Sequence, residues 1–389
     1  MSSKSNPKGP KRVLILTADF GYGHRSAANA IAEALQETHG QDCMVEIVNP
    51  LDDERAPAFL RDEQINYDRL IREMPDLYKL GYRVSDAQVA SDLIESALTL
   101  LLFNVLREIV HQHQPDAIVC VYPVYPAILS AIFSLDKRRI PLLTVVTDLG
   151  VVHKLWFHPA SDLYLVPTQT VFDLAVEADL DPEKVKITGI PVHPGLAKGK
   201  RAQVSLRLRL GWRADLFTII AIGSKRVENM YDSLRVLNHS GLPLQLAIVA
   251  GGDGALYQRF EEAEWHVEAH RYNFVADMVP LMRASDCVLA KAGGLTVTEA
   301  LACRLPLILI DVIPGQETGN ADYVINGKAG NLARDPIEVL EVMCHWLENG
   351  GELYKKRRRN AHRLGRPRAA YDVAELAWAA AMTPDGALR

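Results

Sequence analysis

Short apolar runs rich in β-branched residues alternate with longer amphipathic stretches along most of the chain. The first series of runs is Arg12–Thr17, Met44–Val48, Ala117–Val121, Leu142–Val146, Leu163–Val166 and Val185–Thr188. A second series follows at Phe217–Ile222, Gln245–Val249, His266–Ala269, Cys287–Ala290 and Leu307–Ile310. Apolar strands without a polar face, separated by helical patterns, imply parallel sheets covered on both sides. The proline-marked connector Gly189–Gly195 divides the two series. The predicted fold is therefore α/β, with two Rossmann-like domains facing each other across a cleft. The expected boundaries are 1–192 and 193–364, with a C-terminal helix at about 365–389 packing back on the first domain.

One segment, Ala56–Val110, breaks the alternation with a continuous helical pattern. Leu93, Ala97, Leu100, Leu101, Leu106 and Ile109 would share a helical face, packed on the sheet or gripping a membrane or acceptor. Its most apolar part, Ala97–Val110, is too short and too interrupted by Asn104, Arg107 and Glu108 to span a bilayer. The N-terminal residues Met1–Lys11 are polar and basic, without a signal-peptide core.

Composition adds little to this picture. Hydrophobic residues make up 48% of the 389 positions and charged residues 23%, as in an ordinary globular chain. The five cysteines have neither metal-ligand nor redox spacing. A net charge of −5 gives no global reason to expect nucleic acid as a partner. Positive charge is uneven, with clusters at Lys4–Arg12, at Arg201, Arg207, Arg209 and Arg213, and at Lys355–Arg359 with Arg363, Arg366 and Arg368. These are either solvated helix faces or attachments to an anionic membrane surface.

In open α/β sheets, chemistry concentrates where strands end. The first strand runs into Asp19-Phe-Gly21-Tyr22-Gly23-His24, where the glycines allow a tight turn and a helix opens beside the histidine. A neutral imidazole there can take a proton from a hydroxyl. The missing third glycine and downstream acid argue against a dinucleotide. In the second half, Lys291-Ala-Gly293-Gly294-Leu295-Thr296-Val-Thr-Glu299 is a strand–turn–helix whose exposed amides suit a diphosphate. Glu299 lies where a carboxylate can accept two ribose hydroxyls. Gln316 and Glu317, on the loop after the next strand, can read sugar hydroxyls. The Asp179-Leu-Asp181 triplet imitates a metal-binding motif but falls beside Pro182 on a connector, where such residues form turns.

Taken in order, GYGHRSAA from Gly21, VTDLGVVHKLWFHP from Val146, VKITGIPV from Val185, KAGGLTVTEAL from Lys291 and PGQETGNADYV from Pro314 resemble the diacylglycerol glycosyltransferases. These are the monogalactosyldiacylglycerol synthases and the processive diglucosyl-diacylglycerol synthases, with a more distant similarity to the lipid-II-forming N-acetylglucosaminyltransferase. The resemblance implies a GT-B fold, inversion at the anomeric carbon and no metal or other cofactor. A UDP-sugar, UDP-galactose or UDP-glucose, would be the co-substrate and diacylglycerol the acceptor, on the cytoplasmic face of a membrane.

Residue by residue, the resemblance puts Gly293, Gly294 and Asn320 near the diphosphate, Leu295 and Thr296 at the donor, Glu299 on the ribose, and Gln316 and Glu317 on the sugar. Uracil would lie against Phe274 and Val275. His24 would be the general base, with Asp19 orienting or charging it. Gly21, Tyr22, Gly23, Asp148 and His153 would be acceptor-side, with Asp148 and His153 also open as an alternative base. The chain departs from its relatives at Tyr22, at Ala292, and at Gly223-Ser-Lys225-Arg226, whose cations are open to the leaving diphosphate or to a surface turn. A UDP-sugar 2-epimerase and a transferase to another lipid are the alternative activities.

Overall fold

The computed structural model describes residues 9–19, 23–58, 88–198, 202–224, 227, 229–313 and 317–383, with the backbone alone over 88–95. Gly21, Tyr22, Lys225, Arg226 and Gln316 lie outside the described residues. The chain divides into two compact units, one made of 1–194 and 368–389, the other of 195–367.

The first unit holds β1 (Lys11–Leu16), α1 (Gly23–His39), β2 (Cys43–Val48), α2 (Gln88–His113), β3 (Ala117–Cys120), α3 (Tyr125–Asp136), β4 (Leu142–Val145), β5 (Leu163–Val166), α4 (Gln169–Glu177) and β6 (Val185–Ile187). All strands are parallel, in the order β2-β1-β3-β4-β5-β6. The chain moves outward from β1 to β2, then returns to lay β3 on the other side of β1. The crevice at the carboxyl ends of β1 and β3 is thus the topological switch point, where ligands bind in such sheets.

The helices over this sheet are held by burial of narrow faces. On α1, Ala27, Ala28, Ile31, Ala34 and Leu35 are buried. The C-terminal α12 (Ala369–Met382) returns to this unit and packs on α1, β1 and β3, with Ala370, Ala374, Ala377 and Ala381 among its buried residues. Alanine on both faces lets the helices approach closely. The contact is fixed at its rim by Tyr371 donating to Glu37 (2.6 Å) and by His39 stacked on Trp378. On α2 the inward face is Leu102, Val105, Leu106, Ile109 and Val110. Leu100 and Leu101 are 82% and 42% exposed, so the single face expected from Leu93 to Ile109 is corrected. The side chain of Leu93 lies outside the described residues. The burying stripe follows the i, i+3, i+4, i+7 spacing from Leu102, which leaves Leu100 on the opposite side.

The second unit repeats the architecture with α5 (Gln203–Leu210), β7 (Phe217–Ile222), α6 (Met230–Asn238), β8 (Leu244–Val249), α7 (Gly254–Glu262), β9 (Glu268–Tyr272), α8 (Val279–Ala284), β10 (Cys287–Lys291), α9 (Gly294–Ala302), β11 (Leu307–Asp311), α10 (Thr318–Asn326), β12 (Gly330–Leu332) and α11 (Pro336–Leu364), the last broken at Glu348–Gly351. The strand order is β12-β11-β10-β7-β8-β9, all parallel, so its switch point lies between β7 and β10.

Arg207, expected in a basic surface cluster, is instead buried. It bonds Asp286 (2.6 Å) and the Ala284, Ala214 and Leu216 carbonyls, tying α5 to the β7 and β10 entrances. Guanidinium can enter a core when its fork is filled in this way. Asp181 accepts from the Glu183 amide (2.9 Å), the turn-forming role its position beside Pro182 suggested.

Where β7 and β8 end, the backbones of Gly223 and Gly251 press together. Gly251 has φ +67°, and a β-carbon there would fall 2.3 Å from the Gly223 carbonyl oxygen. Gly251→Ala is therefore expected to cost at least about 1–3 kcal/mol from strain alone, read as a lower midpoint for unfolding of the purified protein.

Candidate functional site

The first switch point gathers the polar groups of the amino-terminal unit. β1 delivers Thr17 and Asp19, α1 starts at Gly23 and immediately presents His24, β3 delivers Val121 and Tyr122, and the exit of β4 carries Thr147 and Asp148. His24 Nδ1 stands 3.0 Å from the Thr147 hydroxyl. The imidazole meets Tyr122 edge-on at 5.3 Å and Trp156 at a tilt, 6.1 Å between ring centres. Loss of water around the ring pushes its pKa down to about 4, against the opposing pull of a hydrogen bond to the Val121 backbone and of the Asp19 charge. His24 is neutral at physiological pH, able to receive a proton and unable to bring one.

Asp19 reaches His24 through its field rather than as an orienting carboxylate. Its two oxygens grip Arg25, each at 2.8 Å, and Asn49 donates from 3.4 Å. The Arg25 guanidinium holds the carboxyl below its ordinary range, so the charge persists near His24. Asp148 accepts from the Trp156 indole (3.1 Å), and burial raises its carboxyl to about 6. His153 caps the turn Lys154–Phe157, its Nδ1 accepting from the Leu155 amide at 3.2 Å. That hydrogen bond gives it a role in building the turn that carries Trp156.

The second switch point has the character of an anion and hydroxyl site. β10 ends at Lys291, and Gly293, which has no side chain to cap with, is the N-cap of α9, whose first amides meet no side-chain acceptor among the described residues and suit a ligand. Leu295 and Thr296 form its first turn, half-buried. Glu299 has no hydrogen-bond or ion-pair partner among the described residues, and burial lifts its carboxyl to about 7. A desolvated carboxylate without a partner costs free energy until a ligand's donors reach it.

Glu317, at the start of α10, accepts on both oxygens, each of which keeps a further lone pair. One takes the Lys291 ammonium and the other the Ile313 amide at 3.0 Å. Asn320 donates to the Ala292 carbonyl (3.0 Å). Both residues thus pin the exits of β10 and β11 against each other beneath the α9 mouth. A β-carbon on Gly293 would lie 3.0 Å from Lys291 Nζ, which places that cation at the mouth itself. Gly223 closes the β7 end of the same edge, its amide bonded to the Val249 carbonyl at 2.8 Å. Phe274 is 67% exposed and approaches the position of a β-carbon on Gly252, while Val275 is half-buried. Thr147, Trp156, Arg25 and Lys291 are the contributors that reading the sequence missed. All four lie inside the motif blocks, so the signal was present without a reason to single them out.

Residues 24–192 match the family model for monogalactosyldiacylglycerol synthase, and residues 220–364 that for glycosyl transferases group 1. The probable chloroplastic monogalactosyldiacylglycerol synthase of Glycine max is 30% identical over 374 residues, covering 94% of this chain and 70% of the relative. That of Spinacia oleracea is 30% identical over 379 residues, covering 94% and 72%.

The chain belongs to the monogalactosyldiacylglycerol synthase family.

Solved structures agree on the fold that goes with this family. Acinetobacter baumannii MurG superposes with a TM-score of 0.61 at 16% identity, covering 95% of this chain and all of that one. A Neisseria meningitidis UDP-GlcNAc 2-epimerase bound to UDP-GlcNAc gives 0.59 at 15%, covering 94% and 99%. The fold is GT-B, and it is shared by transferases and epimerases alike, so the fold by itself does not choose between them. Membership in the monogalactosyldiacylglycerol synthase family makes the chain a glycosyltransferase. Among the described residues no group of His, Cys, Asp and Glu converges as metal ligands, and no helix is long and apolar enough to cross a membrane.

Proposed function

We propose that this monogalactosyldiacylglycerol synthase relative transfers galactose or glucose from its UDP conjugate to the free hydroxyl of diacylglycerol, inverting the anomeric carbon. The observation that carries the reading is similarity to such synthases over 94% of the chain, with His24 neutral at one switch point and a partnerless Glu299 behind an open helix mouth at the other. His24 takes the proton of the attacking hydroxyl while the Asp19 charge stabilises the imidazolium that forms. Charge on the departing diphosphate falls to the amides of α9 and to Lys291, fixed dipoles and charge of the kind that dominate such catalysis. Asn320 holds the turn that aims those amides, Glu299 receives the ribose hydroxyls, Phe274 and Val275 flank the uracil, and Gln316 with Glu317 reads the sugar. No metal or cofactor enters the scheme.

Membrane attachment is peripheral in this reading. The exposed Lys355, Lys356, Arg358 and Arg359 on α11 supply attraction to anionic lipid at roughly 1 kcal/mol per charge near the surface. Leu100 and Val151 supply exposed apolar contacts on the amino-terminal unit.

The test is conversion of UDP-galactose or UDP-glucose with and without diacylglycerol in anionic liposomes, product followed by mass spectrometry. A monohexosyl lipid from one donor names both sugar and acceptor. Turnover of UDP-GlcNAc without any lipid would replace the reading with an epimerase.

Donor binding should depend on pH through Glu299. Ribose hydroxyls donate to the ionised carboxylate, so binding favours proton loss from a group that sits at about 7. UDP affinity is expected to be full above that pH and to fall below it. Glu299→Gln should bind UDP more weakly at high pH and lose this part of the pH dependence, leaving only the titration of the nucleotide itself. Calorimetric titrations at pH values on either side of the midpoint measure both.

A further inference from the structure

Among the described residues, the ring of His24 touches few groups able to fix its direction. Tyr122 and Trp156 present aromatic surfaces, which confine the imidazole without setting which way its nitrogens point. The hydrogen bonds that do so are to the Val121 backbone and to the hydroxyl of Thr147, 3.0 Å from Nδ1. Thr147 is 9% exposed and sits on a segment fastened at both ends. Before it, the Val146 amide donates to the Leu165 carbonyl (2.9 Å). After it, the Leu149 carbonyl accepts from Thr168, the N-cap of α4 (2.9 Å), and Asp148 accepts from Trp156. The hydroxyl is thus carried by the sheet and α4, on a backbone with little freedom to follow the histidine.

We propose that Thr147 is a positioning residue for the transfer reaction, holding the His24 imidazole through Nδ1 in the orientation that meets the acceptor hydroxyl. The proposal rests on the reading of His24 as general base. A histidine on the first turn of α1 has rotamer freedom that tertiary hydrogen bonds remove. Catalytic groups need placement to a fraction of an ångström, and such placement comes from rigid elements one residue away from the chemistry. Of the charged and titratable groups on the surrounding elements, Tyr122 from the β3 exit touches the ring and Asp19 from the β1 exit acts on it through its charge, while Arg25 is bonded to Asp19, Tyr125 to the Thr17 carbonyl and Asp148 to Trp156. Among the described residues, the side chain bonded to Nδ1 is that of Thr147.

Thr147→Val keeps the shape and removes the hydroxyl, and Thr147→Ser keeps the hydroxyl and removes a methyl. In the full-length protein Thr147→Val is expected to lower kcat about 10- to 100-fold, the range for a misplaced catalytic group, with KM for the UDP-sugar unchanged. Thr147→Ser should restore most of the rate. In a His24→Ala background Thr147→Val should have no further effect, because a residue acting through the imidazole has nothing left to position. Unfolding midpoints of all variants accompany the rates. A near-normal rate for Thr147→Val beside a collapsed His24→Ala overturns the proposal and leaves the base reading standing. An equal loss from Thr147→Val in both backgrounds also overturns it, assigning Thr147 to stability. A normal rate for His24→Ala removes the base reading and this proposal together.

Discussion

Replacing His24 by alanine is expected to lower turnover by at least ~100-fold, the low end for loss of general-base help, while UDP affinity stays unchanged. The argument begins with burial. Packing against Tyr122 and Trp156 removes water from the ring and lowers its pKa to about 4, so the histidine stands neutral across the working range. A base of that strength is weak in the resting protein. The Asp19 carboxylate, kept ionised by Arg25, already offsets part of the loss by favouring the imidazolium. His24→Gln separates the roles, since an amide can bond to Thr147 but cannot accept the proton. Both variants should fail to a similar degree. Arg25→Ala should act more weakly in the same direction by releasing Asp19 from its place. Initial rates at saturating donor, paired with calorimetric UDP titrations, measure the split between turnover and binding. Turnover within a few-fold of the parent protein in His24→Ala would transfer the role of base to another group, with Asp148, which accepts from Trp156, the next candidate.

The parts of this molecule that could be read from sequence are those where local chemistry and tertiary fate coincide. The runs at Phe217–Ile222 and Cys287–Lys291 are apolar on both faces because helices cover both faces of the sheet, so their pattern announces parallel strands. The strand β12 is different. Gly330, Asn331 and Leu332 carry no strand pattern, and their extended backbone comes from pairing with β11, where a β-carbon at Gly330 would strike the Leu307 carbonyl. β9 sits later than its apolar residues suggested, since edge position permits Glu268 and Arg271 to be strand residues facing solvent. The site divides in the same way. Glycine turns before helices mark His24 and Gly293 because the backbone there has a special requirement. Hydrogen-bond partnership has no such local signature: that Thr147 meets a ring more than a hundred positions earlier, or that Asp19 turns to Arg25, depends on strand order.

The largest effect on stability is expected at Lys291 and Glu317. Their side chains are 16% and 6% exposed and form an ion pair beneath the mouth of α9, with the second Glu317 oxygen bonded to the Ile313 amide. Two charges withdrawn from water are tolerable only together, and removing one partner of such a pair costs about 3–5 kcal/mol because the other stays buried. Lys291→Met and Glu317→Gln should each lower stability by that order. The double variant should recover a large part of the sum, since the remaining groups carry no charge. UDP binding discriminates what stability does not. Lys291→Met and the double variant both remove the cation beside Gly293, so both should bind UDP more weakly whatever their stability, whereas Glu317→Gln frees the ammonium toward the diphosphate and should hold UDP at least as well. Urea unfolding followed by fluorescence, with UDP titrations on the same samples, reads both quantities. Losses below ~1 kcal/mol for both single variants would mean that the pair behaves as a solvated surface bridge. Equal UDP affinity in all three would take Lys291 out of the anion site and leave the α9 amides to hold the diphosphate alone.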